Sequence, residues 1–134
     1  GWDTIKHKDY LVDVIKEFKQ NGIRTSIFVD PVMKQIEGAK ATGTDRIELY
    51  TEAYADAYSL GDKMGIKPYR DCAILASALG LGLNAGHDLS LDNIKYFKQN
   101  IPDLLEVSIG HALISESLYL GIENVINMYL RQLK

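Results

Sequence analysis

The chain of 134 residues carries one cysteine, one tryptophan and three prolines. It lacks an excess of charge of either sign and any apolar run of membrane-spanning length. A lone thiol, Cys72, cannot close an internal disulfide, which favours a reducing compartment and makes the cytoplasm the expected setting. The longest stretch free of charge, from Cys72 to Gly86, falls short of the roughly 20 residues a bilayer span needs. It contains Gly80, Gly82 and Asn84, so it reads as the interior of a soluble protein. No basic segment followed by an apolar core opens the chain, and no leader is expected. Fifteen Lys and Arg against 18 Asp and Glu leave a net charge of -3, which supplies neither a nucleic-acid footprint nor a cationic membrane patch. With 46% hydrophobic and 25% charged residues, disorder and low-complexity classes are also excluded.

What is present is an alternation of two hydrophobic periods. Leu11, Ile15 and Phe18 follow helical spacing, and Asn21-Gly22 supplies a stop. Residues 23–30 are β-branched and aromatic, as a strand requires. Asp30-Pro31 then offers an N-cap and a first-turn proline to a helix that buries Val32, Ile36 and Ala39 and ends at Gly43. A second strand is expected over 45–51, followed by a stretch carrying Tyr54 and Tyr58 and by a surface loop over 61–67. Pro68 starts another helix, which Gly80 closes. The third strand is expected over 81–85, then a helix capped by Ser90 with Leu91, Ile94 and Phe97 inward, then a fourth strand over 104–109. The remainder is helical with a break near Gly121, after which Ile122, Val125, Ile126, Tyr129, Leu130 and Leu133 form one face. No linker interrupts the chain, so residues 1–134 are expected to form a single domain.

Strands that alternate with helices imply a parallel sheet in an α/β protein. Strands covered on both faces are nearly continuous apolar runs, and these are not. Ile47 and Leu49 oppose Arg46, Glu48 and Tyr50, while Leu105, Val107 and Ile109 oppose Glu106 and Ser108. One apolar face under helices and one polar face lining a lumen describe a (β/α) barrel of the TIM type, of which four units make half of the usual eight. A four-stranded open sheet is the alternative.

In such barrels function collects at the carboxyl ends of strands. Standing there are Asp30, then Glu48, Tyr50, Thr51 and Glu52, then Asn84, Gly86, His87 and Asp88, and finally Ser108, Gly110 and His111. A lone histidine in such a place caps a helix or bonds a loop carbonyl more often than it reacts. Here the Gly-His pair recurs on adjacent strands beside a carboxylate, which favours a functional reading. Glu48 lies within a strand, where it is either ion-paired, with Arg46 or a base from another strand, or a lumen carboxylate that bonds a reacting hydroxyl or water. His87 is the acid-base candidate because imidazole titrates near neutrality. Gly110-His111-Ala112 ends a strand and opens a helix, a place where backbone N–H groups bind anions, although an ordinary turn has the same sequence. His87, Asp88, His111 and Glu48 have no metal-motif spacing, and Cys72 reads as a small buried hydrophobe.

The strings Arg46-Ile-Glu48-Leu-Tyr-Thr51, Glu52-Ala-Tyr54-Ala-Asp56, Leu83-Asn84-Ala-Gly86-His87-Asp88-Leu and Val107-Ser-Ile-Gly110-His111-Ala-Leu-Ile114 together resemble the second half of the pyridoxine 5′-phosphate synthase family. The resemblance runs through essentially the whole chain. It implies the C-terminal four units of a (β/α)₈ barrel and a ring closure that needs neither metal nor organic cofactor. The substrates implied are 3-amino-2-oxopropyl phosphate and 1-deoxy-D-xylulose 5-phosphate, and the products pyridoxine 5′-phosphate, inorganic phosphate and water. By the same resemblance His87 is the proton donor, Glu48 stabilises the transition state, and Gly110 and His111 bind the aminoketone phosphate. Asp88 stands where the family commonly has a ligand-contacting glycine, and a carboxylate there is expected to lend its backbone to substrate or to point away. The family's first-half ligands have no counterpart in this chain. It is therefore expected to be a fragment or a separate half, inactive alone, partnered by the missing N-terminal half or a second copy in a homo-oligomer.

Overall fold

A computed structural model describes residues 1–134. Its helices and strands alternate as α1 (Lys8–Gln20), β1 (Ser26–Val29), α2 (Met33–Ala41), β2 (Arg46–Tyr50), α3 (Glu52–Ser59) and, after a 3₁₀ turn at Lys63–Ile66, α4 (Lys67–Ala78). Then follow β3 (Gly82–Gly86), α5 (Ile94–Asn100), β4 (Leu104–Ser108), α6 (His111–Leu120) and α7 (Ile122–Gln132). The four strands form one sheet in the order β1-β2-β3-β4, every neighbouring pair parallel. A doubly wound sheet would reverse its strand order at a switch point. This one never does. It is an α/β sheet wound in a single direction, consistent with part of a TIM barrel.

The alternation of β2 sets which face is which. Ile47 and Leu49 are fully buried, while Arg46, Glu48 and Tyr50 on the other face stay half-exposed. In register beside them, Ile27 and Val29 of β1 and Leu83 and Ala85 of β3 join the buried face. The helices bring Leu11, Ile15, Ile36, Ala39, Tyr69, Cys72, Ala76 and Phe97 into the same cluster. Burial of Cys72 pushes its thiol up to about 11, as suits a packing group rather than a nucleophile. Tyr54, Tyr69 and Phe97 form an aromatic group under the carboxyl end of β2, with ring centroids 4.9 to 6.0 Å apart. Its polar tips are satisfied: the Tyr54 hydroxyl donates to the Asn93 carbonyl and the Tyr69 hydroxyl to the Tyr50 carbonyl.

Several local expectations shift. Phe18 and Val32 have the right period but are exposed: Phe18 lies in the last turn of α1, beyond the buried Leu11 and Ile15, and Val32 precedes α2 as its extended N-cap residue. The first strand is shorter than 23–30, leaving Ile23 in solvent, and α2 begins at Met33 without a cap from the Asp30 side chain. The stretch 61–67 is no plain loop: a 3₁₀ turn, opened by the Asp62 carboxylate accepting from the Met64 N–H, carries Ile66 into the core. Helix α5 starts at Ile94, because Ser90 and Asn93 close a turn of their own in which the Asn93 side chain accepts from the Ser90 N–H. On β4 the alternation slips by one. A register irregularity opposite Leu83 leaves Leu105 exposed and puts Leu104 in the core, as a bulge does when its extra residue has no partner. On α7 only Val125 and Tyr129 are buried; Ile122, Ile126 and Leu130 remain exposed. No helix is long and apolar enough to cross a membrane.

Candidate functional site

The polar face of the sheet divides into two ends. At the amino ends of the strands, Glu106 of β4 accepts from Arg24 at 3.1 Å and from the Asn84 amide at 3.0 Å, and forms an ion pair with Arg46 at 2.9 Å. Arg46 also donates to the Asn84 side-chain oxygen at 3.1 Å. Burial opposes ionisation of Glu106, but the two guanidinium charges outweigh it and hold the carboxyl below its usual range. This network takes Arg46 away from Glu48. The ion pair considered for Glu48 does not form, and its carboxylate makes no hydrogen bond or ion pair within the chain.

At the carboxyl ends a cleft of about 380 Å³ is lined by Phe28, Glu48, His87, Asp88, Ser108, Ile109, Gly110 and His111. All five of Glu48, His87, Asp88, Gly110 and His111 therefore meet at one opening. Glu48 pairs in register with Asn84, and its carboxylate reaches over Gly86, two residues further along β3. A Cβ on Gly86 would strike the Glu48 carboxylate oxygen and stand 2.9 Å from Ser108 Cβ, so glycine there makes the close approach possible.

The segment after β3 is the most constrained part of the site. His87 and Asp88 both adopt left-handed backbone, with φ of 87° and 57°, which non-glycine residues populate rarely. Two neighbours hold them there. The buried Thr51 hydroxyl approaches the Gly86 carbonyl at 2.7 Å and the His87 carbonyl, and the Asn93 side-chain amide donates to the Asp88 carbonyl at 3.0 Å. Strained backbone fixed by its surroundings is a recurring property of reactive segments. The His87 ring stands edge-on to Tyr50 with centroids 4.8 Å apart, and Tyr50 in turn packs on Phe28 at 5.2 Å. The Tyr50 hydroxyl donates to Glu52, and this bond, with burial, pushes its proton affinity up to about 12, so it remains a neutral donor.

After β4, Gly110 precedes the first residue of α6, His111, with φ of -104° and no side-chain cap. The first-turn N–H groups of a helix have no intrahelical partner, and no side chain of the chain caps these. A Cβ on Gly110 would meet nothing within 4 Å, so the space over this helix start is open. Other strand-end residues lie elsewhere. Asp30 is not among the residues lining the cleft, Glu52 is taken by Tyr50, and Asn84 belongs to the Glu106 network. No three His, Cys, Asp or Glu side chains converge closely enough to share a metal ion. Strand alternation places Tyr50 on the face of Glu48, and only the fold brings its ring against His87.

A parallel, singly wound β/α sheet with acid-base side chains and an open helix start gathered at its strand ends has the layout of a β/α enzyme scaffold. The chain belongs to the family described as pyridoxal phosphate biosynthesis protein PdxJ, whose family model matches residues 1–134. It is 74% identical over 134 residues to a pyridoxine 5′-phosphate synthase of Flavobacterium johnsoniae. Identity is 67% to the protein of that name from Christiangramia forsetii and 56% to that from Cytophaga hutchinsonii. Each of these alignments covers 100% of this chain and 56% of the relative. The chain thus spans little more than half the length of the curated relatives it matches.

Proposed function

We propose that these residues form the C-terminal half of a (β/α)₈ barrel that condenses 3-amino-2-oxopropyl phosphate with 1-deoxy-D-xylulose 5-phosphate to pyridoxine 5′-phosphate. The observation that carries the reading is the meeting of Glu48, His87, Gly110 and His111 at one cleft, in a chain whose relatives bear the synthase name. Ring closure of this kind expels hydroxyl and phosphate groups, which need protons as they leave. His87, free at Nε2 in the cleft, supplies them. Glu48, unpaired and beside the reacting space, stabilises the positive charge that develops on the condensing amine. The open N–H groups after Gly110, with His111, hold the aminoketone phosphate, and Asp88 meets substrate through its backbone. A cytoplasmic setting belongs to the same reading, as suits a reduced, buried Cys72.

The phosphate assignment makes a prediction about Gly110. Its Cβ position is empty, so the side chain of Gly110→Val fills the space over the helix start, and because the backbone there has ψ of -91° a thermal melt checks that the variant folds. The expected result in the complete protein is a rise in KM for the aminoketone by about tenfold or more, corresponding to about 1.4 kcal/mol per tenfold. His111→Ala, which keeps the backbone donors, has the smaller effect. Normal KM in Gly110→Val would place the phosphate elsewhere.

The other half of the barrel is the proposed partner. Strands β1 and β4 end the sheet, and unpaired strand edges recruit further strands. Beside β1 an apolar groove of about 330 Å³ is lined by Trp2, Tyr10, Val14, Phe18 and Ile23, most of them substantially exposed. In the complete protein the N-terminal strands and helices cover these surfaces. The isolated 134 residues close the sheet on a second copy instead. Light scattering at micromolar concentration is expected to give about twice the 15.0 kDa chain mass and no synthase turnover, whereas the complete protein turns over both substrates. A compact, cooperatively unfolding monomer would refute the pairing, and a complete protein inert towards both substrates would refute the reaction.

A further inference from the structure

We propose that Asp88 is a positioning residue for His87: its carboxylate holds the imidazole by Nδ1, so that protons pass to and from substrate only at Nε2. This rests on the acid-base reading of His87 and gives the Asp88 side chain a task distinct from substrate contact.

The geometry is local and specific. His87 Nδ1 and Asp88 Oδ2 are 3.0 Å apart. Adjacent residues in ordinary extended or helical backbone direct their side chains apart. The two left-handed conformations at 87 and 88 turn these two toward each other, and the bonds from Thr51 and Asn93 to the carbonyls of 86, 87 and 88 keep them so. Tyr50 blocks one side of the ring, edge to face. Nε2 has no hydrogen bond within the chain and belongs to a side chain that lines the cleft.

The chemistry follows from what each atom can do. An ionised carboxylate only accepts hydrogen bonds, so Nδ1 carries a hydrogen and the neutral ring has its lone pair on Nε2. In the imidazolium both nitrogens are protonated and the Nδ1–H bond to Asp88 is unchanged. A proton can therefore arrive at and leave Nε2 without any turn of the ring. Both side chains are close to half exposed, at 46% and 41%, and an exposed pair contributes little to folding. Its consequence is orientation. Directing the carboxylate at its own histidine also keeps it off the anions that occupy the cleft.

Asp88→Gly and Asp88→Asn both suit a φ of 57°, so neither substitution strains the fold. In the complete protein Asp88→Gly is expected to lower kcat about tenfold, the low end of what losing an orienting partner costs a metal-bound histidine, with KM for both substrates little changed. Asp88→Asn keeps an oxygen that can accept from Nδ1–H and should retain most of kcat. In a His87→Ala background Asp88→Gly is expected to cost nothing more, because a residue acting through His87 has nothing left to act on. Equal losses in both backgrounds, or a change confined to KM, would mean that Asp88 acts on substrate directly and would overturn the proposal. Nitrogen-15 spectra of histidine-labelled protein without substrate give a separate readout: His87 should show the Nδ1-protonated form, and lose that preference in Asp88→Gly. An unchanged spectrum in that variant overturns the positioning role. A changed spectrum beside unimpaired turnover of His87→Ala upholds it while removing the acid-base reading on which its catalytic consequence rests.

Discussion

Replacing His87 by alanine in the complete protein is expected to lower turnover by on the order of 10²- to 10⁴-fold, the usual contribution of a positioned general acid or base. The fold should survive. The side chain is 46% exposed, so no core volume is lost, and the left-handed backbone at φ 87° is held by the bonds from Thr51 to the carbonyls of 86 and 87, which alanine keeps. The interactions removed include the Asp88 bond and the T-shaped contact with Tyr50. The loss should fall on kcat, since a proton supplied to a departing hydroxyl or phosphate matters in the transition state and not in the ground state. Steady-state kinetics with a thermal melt decides it. A folded variant with near-normal kcat would mean that the proton comes from another group.

The largest expected effect on stability comes from Phe97→Ala. Phe97 is fully buried and lies between Tyr54 and Tyr69, at 4.9 and 5.8 Å. Removing a buried phenyl ring loses its transfer energy and leaves a cavity, together about 3–5 kcal/mol. That is a large part of the 5–15 kcal/mol that holds a typical domain. The cavity would open under the carboxyl end of β2, because the Tyr69 hydroxyl donates to the Tyr50 carbonyl and the Tyr54 hydroxyl to the Asn93 carbonyl. Tyr50 is the ring that faces His87, and Asn93 the amide that fixes Asp88. Activity should therefore fall along with stability. Urea unfolding measures the first quantity, and a loss below about 1 kcal/mol would show that the aromatic group repacks. Phe97→Leu, which keeps most of the volume, should cost much less.

The order of elements and the division of each strand into a buried and a polar face were legible because each depends on burial along one segment. The alternation Ile47-Leu49 against Arg46-Glu48-Tyr50 needs no distant partner to be read. It led directly to the strand-end residues, and from them to the cleft. The errors lie where a second segment intervenes. Leu105 has the right alternation for the core but is exposed, because the pairing of β4 with β3 slips opposite Leu83. Ser90 has the right identity for a helix cap, yet Asn93 completes the turn before α5 begins.

Arg46 marks the boundary between the two kinds of information most clearly. By sequence its natural partner is Glu48, two residues away on the same face. In the sheet it pairs in register with Gly82, where a Cβ would stand 2.7 Å from its side chain. That empty position lets Arg46 run across β3 to Asn84 and Glu106, and Glu48 is left unpaired beside His87. Sequence alone therefore determined which residue types stand at the strand ends, since hydrophobic period and turn chemistry are local. Tertiary structure decided which of them are occupied by neighbours and which remain free for chemistry, because hydrogen-bond partners across three strands depend on register and on where glycine leaves room.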